Sequence, residues 1–558
     1  MARTAQGAHP HPSTETQSED PAAEQPPIHY SDLWQGIAAA VPDRTAAATG
    51  ETETTWGELF AEASALAEHL QRLGLRTGDA ASTLLYNRAE FLAFLWACLS
   101  IGVAPVAINY RYRAGEVRDL LLDSEAKAFL APTSMAALAA EAAAGLDLAL
   151  IAVADDDAEI PLAESYADIV AAGGRMPAAA PRGADMRLYT GGTTGAPRAV
   201  VWDLDTLLVA RRHSTWGLIG AEPPSDLADA VAIAADESRA RVVTLPMSPL
   251  LHGTAQSATM ATLALGGTVV MHARAKMDVG AAYELIGRHG VTRLIVAGDV
   301  LALPLAEAAE NGDGLGTVTS VISSGMRFGD EAKARLHALG DMTIVDMFAS
   351  SEGGPYALGT SHAAEDLPAP LTLTPDAVLL DSSGDELPLE AGALGLIAFR
   401  GILPRGYYRD EKKTAETFRM INGHRYVVPG DWARARGDGT IDLLGRLSAV
   451  VNTGGEKVYP AEVEQALLAH PLVDDAVVFG LPDRRFGEVV CAAVAGPPDL
   501  DRSEVADFVG ARLAGYKKPR HVFVRDSLER SLTGKVELAG LKAGATAELA
   551  ALAAERAA

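Results

Sequence analysis

Only two cysteines occur among the 558 residues, Cys98 and Cys491, far apart and each in an apolar run. They form neither a disulfide framework nor a CxxC metal pair, and they point to a reducing, cytoplasmic setting. Net positive charge is also missing: 47 basic residues face 73 acidic ones, a formal charge of −26. Non-specific binding to nucleic acid or to an anionic membrane is therefore disfavoured, whereas a local basic patch remains free to hold a small anion. No apolar signal core opens the sequence, and residues 1–28, rich in Pro, Glu, Ser, Thr and Gln, read as a disordered tail. Internal repeats and heptad seams are absent, which leaves the oligomeric state open. The run FLAFLWACLSIGVAPVAI (91–108) carries no charge, but Gly102 and Pro105 interrupt it and its second half is rich in valine. It reads as a buried helix feeding a buried strand, not as a transmembrane segment.

What is present is α/β alternation. TWGELFAEASALAEHLQRLG repeats apolar residues at Leu59, Ala63, Leu66, Leu70 and Leu73, close to the 3.6-residue helical period. VAPVAIN, AKAFLA and LALIAVA read as buried strands. The alternation resumes over 242–345 with RVVTLPM, a helix after His252, TVVMHA, AAYELIGRHG, TRLIVA and TSVISSG. Between these regions, residues 222–240 are acidic, alanine-rich and weakly patterned, and are expected to form a surface insertion. After about residue 445 comes a compact α+β unit in which Pro460 suits the start of the helix PAEVEQALLAH. The predicted organisation is a large multi-sheet α/β body over 29–447 and a smaller α+β domain over 448–558.

The stretch LYTGGTTGAPRAV (188–200) is not the common P-loop GxxxxGK[ST]. Gly191, Gly192 and Gly195 permit tight backbone geometry with N–H groups exposed to an anion. Thr193 and Thr194 add hydroxyls, and Arg198 adds a cation suited to phosphate oxygens. Composition alone does not separate a phosphate cradle from a glycine-rich turn beside a solvated arginine.

Six stretches in order narrow the choice: YTGGTTGAPRAV, DMFASSEGG, PGDWARARGDGTIDLLGR, NTGGEKVYPAEVE, GYKKPR and LTGK. Together they resemble the acyl-adenylate-forming family of acyl-CoA synthetases, adenylation domains and insect luciferases. That resemblance implies ATP, Mg²⁺ and CoA as cofactors, and a carboxylic acid that is activated as acyl-AMP before a thiol takes the acyl group. The loop form followed by Trp202 is similar to actinobacterial synthetases acting on fatty acids and steroid side-chain acids.

The resemblance also assigns roles. Gly191–Gly195 would surround the β- and γ-phosphates, with Thr193 and Thr194 donating to them; Glu352 would organise the magnesium, with Thr193 as a second candidate. Gly325 and Met326 would line the adenine and acyl side, Phe348 would stack on adenine, and Asp346 would accept from its amino group. Asp431 would bind the ribose hydroxyls and Arg446 a ribose or phosphate oxygen. Lys535 would be the mobile catalytic lysine bridging carboxylate and α-phosphate, and Ser448 the hinge. Asn452, Gly454, Gly455, Glu456 and Lys457 would serve thioester formation, and Lys517, Lys518 and Arg520 would meet CoA phosphates. His252 would stand beside an acyl pocket, with Met247, Leu251 and Met260 as wall or core residues; no HxH or HxxxH pattern makes His252 a metal ligand.

The family usually has serine at the position of Gly191, lysine then glycine at Arg198 and Ala199, glycine at Ala349, and aspartate or lysine at Ser448. The leading expectation is an acid:CoA ligase for an apolar acid. The alternatives are an adenylating enzyme that loads a separate carrier protein, and an inactive nucleotide-binding homologue.

Overall fold

The protein is described by a computed structural model over residues 28–190, 197–446, 451–453, 456–483, 486–513, 515–530 and 536–557. The uncharged run resolves into the helix Ala89–Ile101, buried on nearly every side, and the strand Ala104–Ala107. Between them Gly102 ends the helix at φ +70, a left-handed cap where a Cβ would stand 2.6 Å from the Pro181 ring. Among the described residues no helix is long and apolar enough to cross a membrane.

The helix Trp56–Arg72 starts at a capping box in which Thr55 and Glu58 satisfy each other's backbone N–H groups. It buries Leu59, Ala63, Leu66 and Leu70. Leu73 departs from the expected stripe: it is the residue after the last turn, where the chain swings away at Gly74, and it is 38% exposed.

Residues 222–240 also depart in part from expectation. Most of them lie at the surface as expected, but Leu227–Ala235 forms a helix that buries Ala230 and Ala234 in the main core. The alanines that weaken the sequence pattern are what allow close helix contact. Val231 fills the space over Gly36, in the helix Tyr30–Ala40, where a Cβ would meet it at 2.6 Å. Arg44 then ties the end of the helix down, donating to Ala234 O at 2.6 Å and Ala235 O at 3.2 Å. At the amino-terminal edge Ile28, expected to belong to the tail, is half-buried against the same core.

Three sheets make the large body. The largest runs parallel through Thr45–Thr49, Thr268–Met271, Val243–Pro246, Arg293–Val296, Ser320–Ser324 and Thr343–Ser350. It continues antiparallel through Gly353–Ser361, Leu371–Leu373, Thr440–Arg446 and Asp431–Ala435. A second sheet is wholly parallel, ordered Ala104–Ala107, Ala80–Thr83, Ala126–Pro132, Ala149–Val153, Glu164–Ser165. A small antiparallel sheet joins Gly406–Tyr407, Arg198–Asp203 and Asp185–Thr190. One hydrophobic cluster, including Trp34, Trp56, Trp96 and Trp216, takes residues from all three.

In the carboxy-terminal unit Asp475–Asp483 pairs antiparallel with Gly487–Ala495, which pairs parallel with His521–Arg525. Period-two alternation divides the sheet's faces. Ala476, Val478, Val490 and Val494 pack with Val463, Leu467, Val505 and Val509 of two helices, while Val477, Phe479, Cys491 and Ala493 pack with Leu541 and Ala545 of a third. Tyr459 joins this unit to the large body by packing on Leu444 and Trp432.

Candidate active site

The glycine-rich stretch leaves the small sheet at Thr190 and returns at Arg198, and these two residues are cross-strand partners. Gly191, Gly192, Thr193, Thr194 and Gly195 themselves lie outside the described residues. Arg198 donates from Nε to Asp410 Oδ2 at 2.9 Å. The Lys413 backbone N–H, joined by the Arg198 guanidinium, holds that carboxyl below the usual aspartate range against the opposing effect of burial. Ala199, where glycine is usual, is a buried strand residue paired with Tyr189, and its carbonyl accepts from Tyr408 N at 2.8 Å. A methyl group suits such a position better than glycine's extra freedom.

Glu352 stands in the turn between Thr343–Ser350 and Gly353–Ser361. Its Oε1 accepts from Tyr407 Oη at 2.6 Å, and its N–H donates to Ser350 Oγ at 3.2 Å. Ser350 Oγ also meets Tyr356 Oη at 2.9 Å, and Trp202 Nε1 donates to Ser351 O at 3.0 Å. Two contacts thus hold the acid and two more hold the turn beside it, while Glu352 Oε2 has no protein partner among the described residues. Burial, reinforced by the Glu352 charge, pushes the Tyr407 phenol well above its ordinary value, so it remains a donor.

On the neighbouring wall Gly325 adopts φ +80 with open space beside it, and Met326 is half-buried. Phe348 packs against Tyr356 with ring centroids 5.4 Å apart, and Ala349 lies where the ladder register shifts between Phe348 and Ser350. Asp346 is already engaged: its Oδ2 accepts from Lys333 Nζ at 2.9 Å, with the lysine side chain only 6% exposed. Burial pushes the Asp346 carboxyl up, and Lys333 opposes that shift. Asp431 begins its strand half-buried and directly opposite Arg446, of which only the backbone is described.

The segment bearing the acyl-side candidates is held by Asn87. Its Nδ2 donates to Pro246 O at 2.9 Å and Ser248 O at 3.0 Å, and its Oδ1 accepts from Leu250 N at 2.8 Å. All three bonds are buried, so this loop is fixed from the start of the helix Ala89–Ile101. Met247 and Met260 are buried in different core clusters, whereas Leu251 is half-buried and His252 is the N-terminal cap residue of Gly253–Ala264.

In the carboxy-terminal unit Ser448, Gly454, Gly455 and Lys535 lie outside the described residues, and Asn452, Glu456 and Lys457 are described by backbone alone. The basic cluster is not an array of bare cations. Lys517 Nζ donates to Glu462 Oε1 at 2.6 Å, Lys518 pairs with Asp507, and the Arg520 guanidinium lies over the Phe486 ring.

Tyr407, Asp410, Lys333 and Asn87 are the contributions that sequence reading missed. Asp410 and Tyr407 act on residues 212 and 55 positions away, respectively, a separation no local spacing exposes. Among the described residues no group of three or more His, Cys, Asp or Glu side chains forms a metal cage. A lone carboxylate oxygen beside a cation-bearing strand suits a magnesium ion shared with substrate phosphates, which needs only one or two protein carboxylates.

Residues 34–408 match the AMP-binding enzyme family, and residues 462–535 match the AMP-binding enzyme C-terminal domain. A medium/long-chain-fatty-acid–CoA/3-oxocholest-4-en-26-oate–CoA ligase of Mycobacterium tuberculosis is 35% identical over 91% of this chain and 94% of its own. A 3-oxocholest-4-en-26-oate–CoA ligase of Rhodococcus rhodochrous is 32% identical over 91% and 94%. The crystal structure of the anthranilate CoA ligase AuaEII with anthranoyl-AMP superposes with a TM-score of 0.77 at 19% identity, covering 93% of this chain and 98% of that one. With its two domains matched in order and its length spanned by such relatives, the chain belongs to the AMP-binding enzyme family.

Proposed function

We infer that this enzyme is an ATP-dependent, AMP-forming acid:CoA ligase for apolar carboxylic acids, medium- or long-chain fatty acids or a steroid side-chain acid. One observation carries the reading: the strand that ends the glycine-rich stretch bears Arg198 and Trp202, and its neighbour bears Tyr407, so cation and acid are fixed from one small sheet. The chemical difficulty is that the acid and the α-phosphate are both anionic, so their meeting must be aligned and its charge neutralised. A carboxylate oxygen attacks the α-phosphorus, the bond to the β-phosphate oxygen breaks, and pyrophosphate leaves with that electron pair. The CoA thiol then attacks the acyl carbonyl, loses its proton, and expels AMP.

In this reading Arg198 and residues 191–195 bind the β- and γ-phosphates, Asp431 and Arg446 bind the ribose side, and Asp346, Phe348, Gly325 and Met326 bound the base. Glu352, with Thr193, would hold Mg²⁺, which when bound supplies charge neutralisation to the polyphosphate. Tyr407 keeps Glu352 aimed by donating to one of its oxygens. Lys535 supplies the cation at the reacting carboxylate, and Gly454, Gly455 and Lys457 serve the thioester step, with Ser448 as pivot. The substrates for which the relatives are named motivate the apolar acid, and Leu251 and His252 are the candidates for its wall.

The test is full-length enzyme with Mg-ATP and octanoate, palmitate or 3-oxocholest-4-en-26-oate, followed by mass spectrometry with and without CoA. Acid-dependent acyl-AMP without CoA, and acyl-CoA with it, are expected. Acyl-AMP that persists when CoA is added would point instead to a carrier-protein acceptor. Lys535→Ala should slow acyl-AMP formation about 100-fold or more while ATP affinity stays within about threefold. Adenylation at the normal rate in that variant would remove Lys535 from the chemistry.

A further inference from the structure

Arg198 stands where the resembling enzymes carry lysine, and its surroundings are built for an arginine. The carboxylate that meets it is held on both oxygens. Asp410 Oδ2 accepts from Arg198 Nε, while Oδ1 accepts from Lys413 N at 2.9 Å as the N-cap of Glu411–Thr417. The backbone carrying Asp410 is pinned as well. Tyr408 N donates to Ala199 O at 2.8 Å, Tyr407 N donates to Thr414 Oγ1 at 2.9 Å, and Gly406–Tyr407 pairs with Val200 and Val201. The pair is about one-third exposed on each side, which leaves it open to a ligand.

A guanidinium carries five N–H donors in a rigid planar fork. With Nε given to Asp410, the four on Nη1 and Nη2 remain, and among the described residues they meet no partner. A lysine ammonium is a point charge on a flexible stem. Beside the same carboxylate it would keep two N–H donors, but on a single freely rotating nitrogen and not along a fixed planar edge.

We propose that Asp410 is a positioning residue for Arg198: by taking Nε it fixes the guanidinium so that its two terminal nitrogens form a bidentate clasp on the ATP polyphosphate. This rests on the nucleotide reading given above, with Arg198 on the phosphate side.

Calorimetry on the full chain with Mg-ATP and, separately, with AMP tests it. Wild type should bind both nucleotides. Asp410→Asn retains a helix-capping side chain, so the fold is kept while the charge is lost. It should bind Mg-ATP about tenfold more weakly with AMP affinity unchanged. Arg198→Lys should lose a similar factor for Mg-ATP. The double variant should be no weaker than Arg198→Lys alone, because the ammonium is then released from the carboxylate.

Wild-type affinity for Mg-ATP in Asp410→Asn would overturn the proposal. So would equal loss of ATP and AMP, or single losses that multiply in the double variant. A wild-type chain that bound neither nucleotide would instead sink the nucleotide reading, a result distinct from the other three.

Discussion

The interior of the main core and its edge at the candidate site use tryptophan in opposite ways. Of the six tryptophans, four in the main core (Trp34, Trp56, Trp96 and Trp216) and Trp432, next to Asp431, bury an indole N–H that meets no acceptor among the described residues. Trp202, buried at the edge of that same cluster, is among the described residues the one whose N–H donates, to the backbone beside Glu352. In the core, Trp96 gathers Trp34, Trp56 and Phe60 at centroid distances of 5.8, 6.1 and 5.6 Å. An unpaired N–H there costs about 1–3 kcal/mol. Burying about 150–250 Å² of ring surface at about 25 cal/mol per Å² returns roughly 4–6 kcal/mol, so shape wins over hydrogen bonding. At the site, direction matters more than area, and the polar edge of the ring is used. A core tryptophan fills volume; Trp202 aims a turn.

The largest effect that would break this comparison is in the core. Trp96→Ala should destabilise the fold by about 3–5 kcal/mol in denaturant unfolding, through lost burial and the cavity left behind. A loss below about 1 kcal/mol would mean the cluster is not the keystone its ring contacts suggest. Next comes Trp202→Phe, which removes one N–H and little volume. Adenylation should fall about tenfold with stability changed by less than about 1 kcal/mol, the signature of a mispositioned Glu352. Trp96→Phe is the control, with activity unchanged; equal activity losses in both would erase the distinction.

The sequence was more legible for the core than for the site's supports. Strands and helices announced themselves by period, as in the helix Trp56–Arg72 and the alternating faces of Asp475–Asp483. Candidate site residues stood in short motifs, and the small sheet brings the strand of Arg198 and Trp202 beside the turn of Glu352. What holds them was not visible. Tyr407, Asp410 and Asn87 act across strand pairings and loop contacts that only the fold creates. Lys333 reads as an ordinary helix lysine until its helix packs beside Asp346. The helix Leu227–Ala235 was missed for another reason: alanine contributes too little hydrophobic contrast to mark a buried face, although its small size is what lets two helices approach.

The smallest expected effect separates packing from titration within the core itself. His29 is 1% exposed and accepts from Ser31 N through Nδ1 at 3.2 Å. Burial, only partly offset by Asp32 and Asp205, pulls its pKa below the ordinary value; burial likewise lowers that of His272. The folded state therefore keeps these rings neutral while the unfolded chain takes up protons near pH 6.5. Stability from this source is present above that pH and is lost as pH falls through it. Melting temperature should drop between pH 7.5 and 5.5, and His29→Asn, which keeps a capping acceptor, should shrink that drop. An unchanged pH slope in the variant would exclude His29 as a contributor.

The pairing of Asp431 with Arg446 has a mechanical consequence. Arg446 is the last described residue of the large body before the connection to the smaller unit, and its strand partner is Asp431. Any torque that the smaller unit applies to the connecting chain is therefore resisted first by the ladder at Asp431. Tyr459 packs on Leu444 and Trp432 of the same two strands, so the ladder that carries Asp431 also seats the start of the smaller unit.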